Sequence, residues 1–190
     1  AAGTPVGSGG GLGSPAFADI ATAGTYYVEV GGANATGRYS ITVTDLGVDQ
    51  GNTQATAAAI SPGVPTAGII SSSSDEDWFS FSAAAGSIYR VSCSSSGGSN
   101  YGCYGWVKDS SGGTVARLQT SAGAYYGATT EAELVATTSG TYYVQLDYYI
   151  SGGYPFTLTV TNLGTDDHGN VPANASAISI GAAASGEVQY

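Results

Sequence analysis

The sequence predicts an all-β protein, a jelly-roll-like antiparallel β-sandwich with a partial β unit at each end. Three observations carry that expectation. Val, Ile, Thr and Tyr fall in short runs broken by Gly, Ser and Pro, at the spacing of roughly 8–12 residues that strands and turns of a sandwich show. The chain holds 30 Gly and 14 Tyr but no Met, and only 9% of it is charged, which is poor material for a long helix. At 42% hydrophobic it can bury a core, and it is too rich in Tyr for a disordered chain.

An internal repeat sets the organisation. Thr25-Tyr26-Tyr27-Val28-Glu29-Val30 returns as Thr141-Tyr142-Tyr143-Val144-Gln145-Leu146, and Thr42-Val43-Thr44-Asp45-Leu46-Gly47 returns as Thr159-Val160-Thr161-Asn162-Leu163-Gly164. Gly51-Asn52 returns as Gly169-Asn170. The unit is therefore about 117 residues long, out of phase with a chain of 190 residues. Residues 1–46 read as the C-terminal part of a first repeat, 47–163 as a complete sandwich, and 164–190 as the N-terminal strands of a further repeat.

Taken in order, residues 1–15 are rich in Gly, Ser and Pro and are expected to be irregular. Tyr26, Val28 and Val30 then alternate as one closing strand, and Tyr39, Ile41 and Val43 as the other. In the central unit Asp49-Gln50-Gly51-Asn52 is a turn, and Ser61-Pro62-Gly63 breaks the chain before a strand at Gly68-Ile69-Ile70. Period two places Phe79 and Phe81 on one face after Asp75-Glu76-Asp77-Trp78, and sends Tyr89, Val91 and Cys93 inward on the next strand. Strands follow from Cys103 to Lys108 and from Thr114 to Leu118, around a turn at 110–113. Leu134-Val135 precedes a turn at Ser139-Gly140. Tyr142, Val144 and Leu146, then Phe156, Leu158 and Val160, face inward on the two closing strands. The tail repeats the front of this pattern through Ile178 to Gly186-Glu187-Val188.

The formal net charge is −10, with Arg38, Arg90, Lys108 and Arg117 the only cations. Such a chain repels nucleic acid and an anionic membrane face, and divalent cations are its natural charge partner. No apolar run approaches the roughly 20 residues of a membrane span. The opening Ala1-Ala2-Gly3, without Met, fits a processed, mature polypeptide and equally a trimmed piece of a longer chain.

Cys93 and Cys103 flank a Gly/Ser hairpin loop, so a disulfide stapling that hairpin is favoured over two buried free thiols. Paired cysteines and scarce lysine point to an oxidising setting, extracellular or at the cell surface. The acidic turns supply candidate Ca²⁺ ligands at Asp49, Asn52, Asp75, Glu76 and Asp77, with Asp166, Asp167 and Asn170 in the tail copy. Ca²⁺ takes six to eight hard oxygens, and clustered carboxylates with an Asn carbonyl suit it. Asp and Asn equally serve as ordinary turn residues, and the spacing is not that of an EF-hand. His168, the one histidine, reads as a solvated turn residue; no nucleophile, base and orienter converge, and no catalytic residue is assigned. Asn34-Ala35-Thr36 and Asn174-Ala175-Ser176 fit the N-glycosylation pattern, which arises often by chance in Ser/Thr-rich chains. Tyr pairs at 26–27, 125–126, 142–143 and 148–149 place one ring of each pair inward, leaving Tyr27, Tyr143 and Tyr148 as a candidate surface for protein or glycan.

The order Asp49, Gly51-Asn52, Gly68-Ile69, Asp75-x-Asp77-Trp78-Phe79-x-Phe81, Ala85-Gly86 and Gly140-Thr141-Tyr142-Tyr143-Val144 resembles the bacterial pre-peptidase C-terminal domain. The resemblance covers 47–163, with the flanks as partial copies. It implies a secreted, non-catalytic β-sandwich module of the kind carried by exported proteases. Related collagen-binding domains of secreted collagenases bind calcium, although their acidic linker ligands have no clear match here.

Two functions are therefore in view. In the first, the chain is an extracellular structural protein that assembles head to tail into a filament, tail strands 164–190 completing the N-terminal unit of the next subunit. Ile178, Ile180 and Val188 of the tail and Tyr26, Val28, Tyr39 and Ile41 of the head would form that interface. The alternative is a binding module that attaches a secreted protease or surface protein to protein substrate or cell wall.

Overall fold

In the computed structural model the described residues are 18, 20, 22–31, 38–45, 49–71, 74–95, 103–120, 129–147, 154–165, 168, 173 and 175–186. Among the described residues nine strands form two sheets: β1 (Ala58–Ala59), β2 (Thr66–Ile70), β3 (Asp77–Ala83), β4 (Ser87–Ser95), β5 (Tyr104–Lys108), β6 (Thr114–Arg117), β7 (Thr129–Val135), β8 (Gly140–Asp147) and β9 (Tyr154–Thr165). One sheet runs β1-β3-β8-β5-β6 and the other β2-β9-β4-β7. Every pairing is antiparallel except β1 with β3. A 3₁₀ turn at Gln54–Thr56 precedes β1. Among the described residues no helix is long and apolar enough to cross a membrane.

The period-two pattern is what seals the sandwich. From the five-stranded sheet, Phe79, Phe81, Val107, Tyr142, Val144 and Leu146 point inward; from the other, Tyr89, Val91, Cys93, Phe156, Leu158 and Val160 meet them. Phe79 meets Phe156 edge to face, with ring centroids 6.0 Å apart. Phe81 packs on Tyr89 at 5.4 Å, and the Tyr89 hydroxyl accepts from the Ala84 N–H at 3.1 Å, so the buried ring keeps its polar end satisfied. The expected disulfide joins Cys93 to Cys103 across 5.8 Å between Cα atoms, but β4 and β5 lie in different sheets, so it links the two layers and does not staple a hairpin.

Two local features go beyond the sequence pattern. The Ala-Thr stretch after Asn52 makes the 3₁₀ turn and then a short parallel pairing, Ala58 with Phe79 and Ala59 with Ser80. β7 starts at Thr129, before the expected Leu134-Val135: it pairs with β4 from Ser94 onward, and the buried Thr130 hydroxyl donates to the Cys103 carbonyl at 2.8 Å.

The described residues of both flanks lie outside the two sheets. Residues 25–31 and 38–45 carry no assigned strand, and neither do 175–186. Their apolar side chains are exposed: Val28 by 63%, Tyr39 by 68%, Val43 by 79% and Ile178 by 75%.

Candidate functional site

Two surfaces of the central unit carry chemistry. The first is an acidic corner at the start of β3. The Trp78 N–H donates to the Gly51 carbonyl at 3.0 Å, which ties the front turn to the strand. That tie brings Asp49 beside Asp75 and Asp77, and carboxylate oxygens of all three lie within 4.8 Å of one another. Asp49 is exposed, whereas Asp75 is 5% and Asp77 0% exposed. Negative charges at that separation repel, and burial strengthens the repulsion by lowering the effective dielectric.

Neighbouring donors hold Asp75 in place. The Ser71 N–H donates to Asp75 Oδ2 at 2.5 Å. With its amide turned so that the nitrogen faces the two acceptors, Asn52 donates to Asp75 Oδ1 at 3.1 Å and to the Glu76 carbonyl at 2.5 Å. Asn52 is thus joined to the corner as a donor. Glu76 turns the other way, accepting from Trp78 Nε1 at 2.9 Å and Gln145 Nε2 at 3.0 Å. Three hard carboxylates, two of them buried, form a donor set that fits Ca²⁺ chemically. Of the tail copy, Asp166, Asp167 and Asn170 lie outside the described residues, as do Val188 and Tyr148. His168 is exposed, its ring nitrogens 2.9 Å from Ser176 Oγ and 3.2 Å from the Ser185 carbonyl.

The second surface is the outer face of the five-stranded sheet. Tyr143, Tyr104, Trp106 and Lys108 alternate outward from their strands, as does Trp78, which is itself buried, and Arg117 lies directly across from Trp106. Lys108 Nζ stands 5.9 Å from the Trp78 ring centre and 6.0 Å from that of Trp106. The Arg117 guanidinium lies 4.9 Å from the Tyr104 ring and 5.6 Å from Trp106, and it donates to the Tyr104 hydroxyl. Tyr143 meets Trp78 edge to face at 6.4 Å. Aromatic rings and cations therefore interleave across β3, β8, β5 and β6. Two of the four cations in a chain of net charge −10 are gathered here. Tyr143 was legible as an outward ring. The Lys108 and Arg117 stacking was not, because it depends on which residues face each other across strands.

Of the expected subunit-interface residues, Tyr26, Val28, Tyr39, Ile41, Ile178 and Ile180 are all exposed. None is part of the core of the central unit.

No protein-family model and no curated protein matches the chain. Among solved structures it is similar to the pre-peptidase C-terminal domain of the collagenase from Bacillus anthracis. The two share 21% sequence identity with a TM-score of 0.47, over 55% of this chain and 94% of that one.

Proposed function

We propose that the chain is a non-catalytic extracellular structural protein whose flanks pair with other copies of itself, head to tail. The observation that carries this reading is the contrast between centre and flanks. The central unit closes its core without them, while the flanks repeat the sequence of core strands and expose the residues that are core in the centre. Val28 and Val43 correspond by the repeat to Val144 and Val160, both 0% exposed. Each apolar side chain of that size contributes roughly 1.5–3 kcal/mol when buried, so segments left bare in this way gain from a partner. A heterologous contact of this kind extends into a filament unless it closes into a ring.

Ca²⁺ at Asp49, Asp75 and Asp77 would serve that role by neutralising the corner that ties the front turn to β3. The test of the assembly reading is negative-stain electron microscopy of the chain beside one truncated after Gly164. Filaments from the longer chain alone support it; uniform single particles from both end it.

A second reading is favoured by the interleaved rings and cations on the outer sheet face. In it the central unit is an attachment module for protein substrate or cell wall, as its resemblance to the pre-peptidase C-terminal domain implies. Trp106→Ala would then abolish co-sedimentation with an insoluble matrix such as collagen fibres or cell wall. Retention of binding by that variant would remove this face from the reading.

A further inference from the structure

The register of β2 against β9, carried through the internal repeat, specifies how a tail meets a head. In the central unit Gly68 sits opposite Phe156, Thr66 opposite Leu158 and Ile69 opposite Pro155. Gly68-Ile69 corresponds to Gly186-Glu187 in the tail, and Phe156 and Leu158 correspond to Tyr39 and Ile41 in the head. From this equivalence we infer that tail residues 184–188 of one copy pair antiparallel with head residues 37–41 of a second copy. In that register Gly186 lies opposite Tyr39, Ala184 opposite Ile41, and Glu187 opposite Arg38. The inference rests on the assembly reading above and adds its partner strands and register.

Three features agree with this pairing. The first is steric. A Cβ on Gly68 would run into the Phe156 ring, so this pair needs glycine opposite an aromatic residue. The flanks keep the combination as Gly186 and Tyr39.

The second is charge. Ile69 and Pro155 form a pair without charge in the central unit, but their counterparts are Glu187 and Arg38, an acid opposite one of only four cations. The central unit already uses this device. Arg90 and Glu133, directly opposite across β4 and β7, form an ion pair at 2.6 Å. Opposite charges in facing positions favour one register, and like charges oppose it. Pro155, which offers no charge to Glu187, makes β9 of the central unit a poorer partner for the tail than the head strand.

The third is layering. In the central unit Val144 and Leu146 of β8 share a core with Leu158 and Val160 of β9, from the opposite sheet. Val28 and Val30 are the head counterparts of Val144 and Leu146. The head therefore supplies an apolar strand to cover the tail–head pair, where an unsupported two-stranded ribbon would be marginal in water. Ile178 likewise has a core-packed counterpart in Ile60.

Charge reversal and cross-linking of the 190-residue chain test the register. Glu187→Arg alone and Arg38→Glu alone should each weaken self-association on the order of tenfold or more, measured by sedimentation velocity. Mixing the two single variants, or combining both changes in one chain, should restore it. In a mixture of Ala184→Cys chains with Ile41→Cys chains, oxidation should link the two, while Ala184→Cys with Ser40→Cys should not link. Assembly with links only at other positions would overturn the register and leave the assembly reading standing. Links formed solely within a doubly substituted chain at high dilution would overturn pairing between copies. Monomers at every concentration would remove both readings.

Discussion

The Phe156 ring occupies the space that a Cβ on Gly68, its partner across β2 and β9, would need. The close approach lets an aromatic ring from the four-stranded sheet reach Phe79 in the opposite sheet, edge to face. Gly68→Ala therefore overpacks the core and should cost about 1–3 kcal/mol, read as a lower urea midpoint with unchanged slope. Adding Phe156→Leu should recover part of that loss, because the pair is coupled through one contact. Independent, additive losses in the double variant would show that the ring is not what Gly68 accommodates.

The acidic corner makes a prediction of opposite sign with and without metal. In chelator, Asp77→Asn removes one charge from a buried carboxylate cluster and should leave the protein at least as stable as the parent. With Ca²⁺ at about a hundred times its Kd, the parent should gain roughly 2.7 kcal/mol and the variant far less. Calorimetric scans of both proteins, with and without Ca²⁺, would show the order of melting temperatures cross. Parallel melting temperatures for the two proteins in both buffers would reject a cation at this corner.

How far these features could be read from the sequence depends on the range of the interaction. Inward positions on β3, β4, β8 and β9 followed from alternation alone, since a strand places Phe79 and Phe81, or Val144 and Leu146, on one face whatever its neighbours. β1 escaped because two alanines have no period to detect. The early start of β7 escaped because Thr130 reads as polar until the Cys103 carbonyl is seen to receive its hydroxyl. Residue types at the acidic corner were legible, but their convergence depends on a backbone hydrogen bond from Trp78 to Gly51. Stacking of Lys108 and Arg117 on Trp106 requires the β5–β6 register, which no local pattern contains.

The Cys93–Cys103 bond closes a short loop between β4 and β5, strands that lie in different sheets. It thus fastens the two layers at one end of the sandwich. Reduction should cost on the order of 2–3 kcal/mol, since the loop is about ten residues. Urea titrations with and without reductant would measure it. The loss should match that of a Cys93→Ser and Cys103→Ser double variant to within the cost of placing hydroxyls in a buried site. Equal stability before and after complete reduction would mean that the layers are held without the staple.

In the β5–β6 turn one carboxylate gathers three donors beside the backbone hydrogen bonds, and its pH dependence has a definite sign. Asp109 Oδ1 accepts from the Ser111 N–H at 2.9 Å, the Ser111 hydroxyl at 2.6 Å and the Gly113 N–H at 2.9 Å. The Ser111 hydroxyl, then the backbone donor at Gly113, favours the ionised form and lowers the Asp109 pKa from its ordinary 3.8. A group whose folded pKa is depressed stabilises the fold above its unfolded value and loses that contribution as pH falls through the folded one. The hairpin carrying Trp106, Lys108 and Arg117 should therefore loosen in acid, below about pH 4. Asp109→Ala should loosen it at neutral pH and flatten the acid response. Amide exchange at Gly112 and Gly113, followed from pH 6 to pH 2.5 with rates corrected for intrinsic pH dependence, reports this directly. Protection that declines equally in parent and variant would assign the acid response to other carboxylates.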